Sequence, residues 1–318
     1  MNFKWMKARA VSGMASLLLA LTVSGTALAQ EPALDAGRDE GYAIFVSQRN
    51  GAAELYLLDL NTRQVSQLTN TGRGHLAPSI ANNRAIVFAA REGANYELFS
   101  GTLSASWRSR RPAILSLNRL TVDTEDQLTP TVAGDGGYMV FQSTSGIELM
   151  TVGGAGKQLL IPASKDHRDF APAISPDGTQ VAFVSDRSGA HEIWLYTRAG
   201  GSLRQLTRSA DVLGGLSWSA DGKRLVFNTK ATSSQLSGIA LADVESGGFR
   251  VVTESNDFNG SLSARGDRML FTSTRDGDAE LYLLRVSTGT VERLTNNLGM
   301  DDGAVFVSDT VRPARPTR

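Results

Sequence analysis

Apolar and polar positions alternate along most of the chain in short runs, and each run ends at a turn signal. The clearest copy covers residues 170–207. Ser175-Pro176-Asp177-Gly178 predicts a tight turn, because proline fixes φ, aspartate bonds its own backbone and glycine accepts a positive φ. Alternation at residues 181–185, 192–196 and 204–207 predicts three further strands, separated by turns near Gly189 and Gly200. The pattern therefore predicts a meander of four short antiparallel strands.

This unit recurs with a period of about 44 residues, which is the length of one propeller blade. Each copy has an apolar residue in its first strand: Ile80, Val132, Ile174, Trp218, Leu262 and Phe306. Each copy also has an aromatic residue in its second strand: Phe45, Phe88, Phe141, Phe183, Phe227 and Phe271. The repeat predicts an all-β fold, a six-bladed β-propeller with these aromatic side chains buried between blades.

A charged pattern follows the second strand in three copies and reads Arg-x-Gly-x-x-Glu. It occurs at Arg49/Gly51/Glu54, Arg187/Gly189/Glu192 and Arg275/Gly277/Glu280. We expect the arginine and the glutamate of each copy to pair and to brace the hairpin between them, with modest energetic value.

The two ends of the repeat region complement each other. The first copy begins at Tyr42 with only three strands, whereas residues 303–309 match residues 171–177 in register. We therefore expect a C-terminal strand to complete the N-terminal blade. Closing the ring in this way removes the exposed sheet edges that favour aggregation.

The segments outside the repeat have their own signatures. Residues 1–29 combine Lys4, Lys7 and Arg9 with an apolar run and the cleavage pattern Ala27-Leu28-Ala29, which predicts a secretory signal. The alternative, a membrane anchor, is disfavoured because the run is shorter than the roughly 20 residues that span a bilayer. Residues 30–41 form a lead-in, residues 42–309 the propeller, and residues 310–318 a predicted disordered tail. The signal predicts a periplasmic protein without a stable membrane anchor.

Charge and composition restrict the partners. The chain has 32 basic and 32 acidic residues, so it lacks the basic excess of a nucleic-acid-binding protein. It has no cysteine, which excludes thiol catalysis and disulfide bonds. The remaining partner class is a periplasmic or envelope protein, bound by a propeller that we expect to be monomeric.

No motif predicts a catalytic residue, a cofactor or a metal site. The three histidines do not have zinc-binding spacing, and no nucleophile elbow is present. Residues 153–157 read Gly-Gly-Ala-Gly-Lys, but Thr151 and Gln158 break the phosphate-loop pattern, so this stretch predicts a hairpin turn.

Polar side chains recur where the loops enter the innermost strands, around one mouth of the predicted channel. The candidate binding residues are His75, Gln127, His167, Asp169, Asp211, Asp257, Asp301 and Asp302. In one interpretation the carboxylates converge, form an acidic mouth and bind a cation or the basic groups of a partner. In the other, each aspartate caps its own turn by bonding nearby backbone N–H groups.

An insertion in the second copy is a secondary candidate for partner contact. It places Trp107 among Arg108, Arg110 and Arg111, and tryptophan and arginine are frequent at binding hot spots. The alternative is a solvated loop whose tryptophan folds back on the blade.

Three motifs together resemble the repeats of the TolB family of six-bladed propellers. They are the S-P-D-G turn, the F-x-S-x-R-x-G-x-x-E-[LI]-[YW] segment and the terminal Q-L-T, and they extend over residues 42–309. TolB itself is a periplasmic part of the Tol–Pal envelope system, and the resemblance implies a periplasmic binding platform whose mouth face meets a protein partner. TolB proteins carry an α/β domain before the propeller, and we expect it to be absent here.

Two classes of function fit this resemblance. The first is a non-catalytic protein-interaction module that uses the channel mouth. The second is an oligosaccharide lyase or another metal-dependent enzyme with its site at the mouth. Such lyases have similar repeats but use several histidines around a metal, whereas only His75 and His167 are near the predicted mouth.

Overall fold

The computed structural model describes residues 41–104, 112–230 and 236–307, and these ranges form six four-stranded antiparallel sheets. All of the regular structure described there is β-strand. No helix in these ranges is long and apolar enough to cross a membrane. The predicted all-β propeller with six blades is confirmed. The signal segment, the Trp107 loop and the tail lie outside the described residues.

Each blade follows the predicted meander, from an inner strand next to the channel to an outer strand at the circumference of the propeller. The strands in chain order are β1 Tyr42–Ser47, β2 Glu54–Asp59, β3 Val65–Gln67, β4 His75–Ile80, β5 Ala85–Glu92, β6 Asn95–Leu103, β7 Ile114–Arg119, β8 Leu128–Val132, β9 Tyr138–Ser143, β10 Gly146–Thr151, β11 Gln158–Pro162, β12 Asp169–Ile174, β13 Gln180–Ser185, β14 Glu192–Thr197, β15 Ser202–Gln205, β16 Val212–Trp218, β17 Arg224–Lys230, β18 Ser237–Asp243, β19 Phe249–Thr253, β20 Asp257–Leu262, β21 Arg268–Ser273, β22 Glu280–Arg285, β23 Val291–Arg293 and β24 Asp301–Phe306. Blades two to six are consecutive groups of four, beginning at β4.

Blade one closes the ring as the sequence predicted. Its strand order is β24-β1-β2-β3, so the last strand of the chain is the inner strand of the first blade. β24 runs antiparallel to β1, with Ala43 opposite Phe306 and Ser47 opposite Asp301. Each inner strand contacts the next one around the channel, and β24 contacts both β20 and β4.

The hydrophobic core is divided into six clusters, one at each interface between neighbouring blades. Phe183 of blade four packs with Ile147 and Leu149 of blade three. Its five counterparts face the preceding blade in the same way. All six phenylalanines are at most 1% exposed. Burying a side chain of this size contributes about 1.5–3 kcal/mol, so these residues hold neighbouring blades together.

The predicted pairing of Arg187 with Glu192 is wrong. Glu192 is buried and accepts hydrogen bonds from Thr207 Oγ1 (2.6 Å) and from the Ala210 N–H (3.1 Å). Glu192 begins β14, which pairs with the outer strand β15, and it links the end of that outer strand to the β13–β14 hairpin. Arg187 follows β13, which pairs with the inner strand β12, so Arg187 bonds Asp169 at the start of β12 instead. The same link between glutamate and threonine occurs at Glu54–Thr69, Glu97–Thr121 and Glu280–Thr295.

Every inner strand bends at one repeat position, where the backbone is left-handed. The six residues have φ between 48° and 64° and are Ala77, Thr129, Ala171, Gly215, Asn259 and Gly303. For a residue with a side chain this conformation costs roughly 1–2 kcal/mol. Polar side chains of the preceding blade offset part of that cost, since Gln142 accepts a bond from the Ala171 N–H (3.2 Å) and Asn228 one from the Asn259 N–H (3.0 Å). These bulges set the direction in which each inner strand meets the channel mouth.

Candidate functional site at the channel mouth

The structure places the predicted mouth residues at one end of the channel. The six inner strands run in the same direction around the ring, so their first residues share one face. His75, Asp169, Asp257 and Asp301 begin β4, β12, β20 and β24. Gln127 and Asp211 directly precede β8 and β16, His167 lies two residues before β12, and Asp302 is the second residue of β24.

Three mouth aspartates are buried ion-pair partners rather than open carboxylates. Asp169, Asp257 and Asp301 have side chains at most 2% exposed. Each contacts one hairpin arginine, in the pairs Arg187–Asp169 (2.8 Å), Arg275–Asp257 (2.8 Å) and Arg49–Asp301 (2.9 Å). Their negative charge is therefore compensated inside the blade. The expectation that these three side chains present an open acidic surface needs this correction, and turn capping is not their main contact either.

The arginine of each pair has a fixed place in its blade. In blade four, Arg187 Nε donates to Ser185 Oγ (2.8 Å), while an Nη2 donor reaches Asp169. Its guanidinium lies over the rings of Phe183 (5.2 Å) and Trp194 (5.1 Å). Blades one and six repeat the arrangement as Ser47–Arg49–Asp301 and Ser273–Arg275–Asp257. A planar guanidinium suits this combination of stacking and directed hydrogen bonds.

Blade two uses a neutral histidine at the aspartate position. Thr69 Oγ1 donates to Glu54 Oε2 (2.5 Å) and accepts from the Leu55 N–H (2.9 Å). At the 3.1 Å contact with Thr69, His75 Nδ1 must therefore be the donor. A neutral His75 with its proton on Nδ1 accepts at Nε2 from Thr71 Oγ1 (2.8 Å), a hydroxyl that is also 3.3 Å from Glu54 Oε1. Counting the protons in the cluster thus places a proton on Nδ1.

Charge and burial oppose each other in this cluster. Burial lowers the pKa of His75, the Glu54 charge raises it, and Arg73 lowers it, with a net effect below the ordinary value of 6.5. Burial raises the pKa of Glu54, but hydrogen bonds from Thr69 and from the Gly72 and Thr71 N–H groups, together with the charge of His75, outweigh it and hold the pKa below the ordinary value. An ionised glutamate and a neutral histidine follow at neutral pH.

The other predicted mouth residues have separate environments. Gln127 is 2% exposed, and its Oε1 atom is buried without a hydrogen-bond partner in the described structure. Asp302 accepts hydrogen bonds from Asn259 Nδ2 and Thr272 Oγ1, both at 2.8 Å. His167 Nε2 is 3.4 Å from Asp169, and Asp211 is exposed. The structure brings these residues to one end of the propeller without gathering them into one cluster.

Several apolar side chains are exposed at this end, among polar ones. Leu76 and Leu213, near the starts of β4 and β16, are 37% and 45% exposed, and Leu298 in the loop before β24 is fully exposed. Phe170 and Phe258, the second residues of β12 and β20, are half-buried. We call these five residues the apolar rim. The prediction of polar mouth positions missed it.

One signal in the sequence would have found the buried ion pairs. Blades one, four and six have arginine in the hairpin, and the same three blades have aspartate at the start of the inner strand. In every blade the hairpin arginine and the aspartate at the start of the inner strand are either both present or both absent. Such joint occurrence is expected of two residues that contact each other. The apolar rim has a weaker signal, since Leu76, Phe170 and Phe258 share one repeat position but Leu213 and Leu298 do not.

The described residues contain no group of three or more His, Cys, Asp or Glu side chains that could hold a metal ion. The secondary candidates Trp107, Arg108, Arg110 and Arg111 fall outside the described residues, so their role stays a prediction.

Comparison with known proteins agrees with this architecture. The family described as "PD40: TolB beta propeller domain" matches residues 116–273. A TolB homolog of Chlorobium luteolum is 31% identical over 138 residues, which cover 43% of this chain and 31% of the relative. The chain is a TolB-like β-propeller protein.

Solved structures of proteins with different functions share this fold. TolB from Acinetobacter baumannii superimposes with a TM-score of 0.70 at 18% identity, covering 84% of this chain and 66% of that one. An oligogalacturonate lyase in complex with manganese superimposes with a TM-score of 0.54 at 16% identity, covering 77% and 86%. At these identities the likeness shows the fold alone. The sequence match also spans about a third of the length of the Chlorobium luteolum relative.

Proposed function

We propose that this TolB-like propeller is a non-catalytic protein-interaction platform of the bacterial periplasm, and that a protein of the cell envelope binds at the channel mouth. The proposal includes a monomeric propeller that needs no cofactor and binds no nucleic acid. The TolB relative and the predicted secretory signal support the location. The mouth surface supports the partner class.

The apolar rim is the observation that carries the proposal. The buried aspartates of this end are engaged with arginines, and His75 is engaged with Thr69 and Thr71. The groups left for a ligand include Leu76, Leu213 and Leu298, which stand on a ring braced by buried ion pairs. Exposed apolar side chains on a rigid support, with polar groups between them, are typical of a surface that binds another protein.

A photocrosslinking experiment tests the mouth directly. A photoreactive phenylalanine analogue replaces Leu213, and in a control protein it replaces Tyr138, which is 40% exposed and begins β9 at the opposite end of the blade. Irradiation in the periplasm should give one dominant adduct from the Leu213 position. Adducts of equal yield from both positions would contradict the proposal.

A matched pair of substitutions provides a second test of binding at the channel mouth. Leu213→Glu places a charge in the rim and should reduce capture of the crosslinked partner by about tenfold. Leu203→Glu is the control, because Leu203 is 44% exposed and lies on the outer strand β15.

Elemental analysis tests the other class of function: stoichiometric manganese or zinc in the purified protein would favour the metal-dependent lyase.

A further inference from the structure

Blade two departs from the other blades beside the mouth. Glu92 stands at the repeat position of the hairpin arginines Arg49, Arg187 and Arg275, four residues after the buried phenylalanine. A cleft of about 610 Å³ opens at this place. Its lining residues come from the β3–β4 loop and from β5, β6 and β7: Thr71, Arg73, Glu92, Phe99, Leu117 and Arg119. We call it the blade-two cleft.

Arg73 takes the stacking role of the missing hairpin arginine. It lies 5.5 Å from the ring of Phe99, as Arg49 lies 5.1 Å from the ring of Tyr56 in blade one. The side chain of Arg73 is 42% exposed, however, whereas the arginines of the buried pairs are between 16 and 25% exposed. Arg73 therefore presents its guanidinium to the cleft.

A second guanidinium faces the same carboxylate. Arg119 is anchored by hydrogen bonds to Glu97 Oε1 (3.0 Å) and to the Thr121 carbonyl (2.7 Å). Its Nη1 is 4.0 Å from Glu92 Oε1, and Arg73 Nη1 is 2.8 Å from Glu92 Oε2. The Glu92 carboxylate thus lies between two arginines, the arrangement that proteins use to bind carboxylates.

Glu92 is an imperfect occupant of this position. Its Oε2 atom is buried and has no partner in hydrogen-bond geometry among the described residues, so its 2.8 Å contact with Arg73 is a contact between charges. A carboxylate that enters from the cleft can bond Arg73 with better alignment. Glu92 then acts as an internal competitor that a ligand displaces.

The wall of the cleft suits an apolar side chain next to that carboxylate. Leu117 is 41% exposed and Leu115 is 51% exposed, and both are on β7, the free outer strand of the blade. Among the outer strands described, β7 has six residues, while β3 and β23 have three each. A longer free edge offers backbone groups to an extended peptide.

We propose that the blade-two cleft binds a peptide carboxylate with a neighbouring apolar side chain, through Arg73 and Arg119 for the charge and Leu117 for the apolar group. This site is separate from the apolar rim and does not depend on it. The chemistry fits either a chain terminus or an acidic side chain of a peptide.

Fluorescence anisotropy with three labelled hexapeptides tests the proposal on the purified chain. The first peptide ends in leucine with a free carboxylate, the second is its amide, and the third is an amide with glutamate before the leucine. Binding of the first or the third, with the second about tenfold weaker, supports the proposal and identifies the source of the carboxylate. Equal binding of all three overturns it.

Two substitutions with opposite expected effects exclude an indirect explanation. Arg73→Gln should weaken binding about tenfold, and Glu92→Gln should strengthen it severalfold, because it removes the internal competitor. Arg91→Gln is the matched control, since Arg91 is an exposed arginine of the same blade that stacks on Tyr96 (5.9 Å). Unchanged or weaker binding by Glu92→Gln would overturn the proposal, as would equal losses in the two arginine variants. Displacement of the peptide by trigalacturonate at lower concentration than by unlabelled peptide would assign the cleft to an acidic saccharide instead.

Discussion

At the scale of single residues, His75 shows how one substitution in a repeat changes local chemistry. Three other blades have an aspartate at this position, paired with an arginine. His75 is instead stacked on Phe88, with ring centroids 4.8 Å apart, and is 1% exposed. A charged imidazolium there would lose its hydration, which is why burial lowers the pKa.

This lowered pKa predicts a loss of stability in mild acid. The unfolded chain binds a proton on His75 near the ordinary pKa of 6.5, whereas the folded chain binds it only at lower pH. The contribution of His75 to stability is therefore complete above 6.5 and falls as the pH decreases below that value. Melting temperatures measured at about pH 7.5 and about pH 5.5 should show a smaller decrease for His75→Gln than for the unchanged chain. His191→Gln, which removes a histidine whose side chain is 38% exposed, is the control, and equal decreases in all three proteins would contradict the assignment.

At the scale of elements, the Ser–Arg–Asp arrangement connects two strands and the hairpin beside them. In blade six, Ser273 ends β21, Asp257 begins β20, and Arg275 lies in the turn between β21 and β22. Arg275 bonds both residues and stacks on Phe271 and Tyr282. A single side chain thus fixes the mouth end of the blade.

Removing the charge of that aspartate should destabilise the protein, because it leaves the buried end of Arg275 without its counter-ion. We expect Asp257→Asn to lower the free energy of unfolding by about 2 kcal/mol in urea denaturation. Asp211→Asn, at an exposed position next to β16, should change it by less than about 0.5 kcal/mol. Equal values for the two variants would mean that the pair contributes no more than a surface contact.

At the scale of the whole molecule, stability depends on a ring in which every blade packs against two neighbours. Each of the six core clusters contains residues of two blades, so no blade buries its apolar faces alone. The interface between blades six and one contains Ala304 and Phe306 of the closing strand. Closure therefore contributes core packing as well as strand pairing.

Removing the closing strand should destabilise every blade. Deletion of residues 299–318 exposes the edge of β1 and opens two core interfaces, since Val307 packs in the cluster between blades one and two. We expect a large decrease in melting temperature or no cooperative transition. Deletion of residues 311–318 is the control and should be silent. A melting temperature for the longer deletion equal to that of the full chain would contradict closure by β24.

The sequence by itself determined the features that depend on local chemistry and on periodicity. Turn residues, strand alternation and six buried phenylalanines at one repeat position predicted six blades and their closing strand. These features can be predicted from the order of residues alone, because each blade is built almost entirely from consecutive residues and its pattern repeats independently of the neighbouring blades. The positions of the mouth residues followed from the same repeat.

Only the tertiary structure decided which groups face solvent at the mouth. The aspartates were predicted as open carboxylates or turn caps, but Arg187 and its counterparts reach them from a neighbouring turn, because a buried carboxylate without a counter-ion is costly. The apolar rim combines Leu76 and Leu213 of the inner strands β4 and β16 with Leu298 of the loop before β24, and no single repeat position encodes these three residues. The blade-two cleft depends likewise on Arg73 and Arg119, which are 46 residues apart in the chain and are brought to one carboxylate by β-strand pairing and the β3–β4 loop. Side-chain exposure is a property of the assembled blades, because it depends on what each neighbouring element covers.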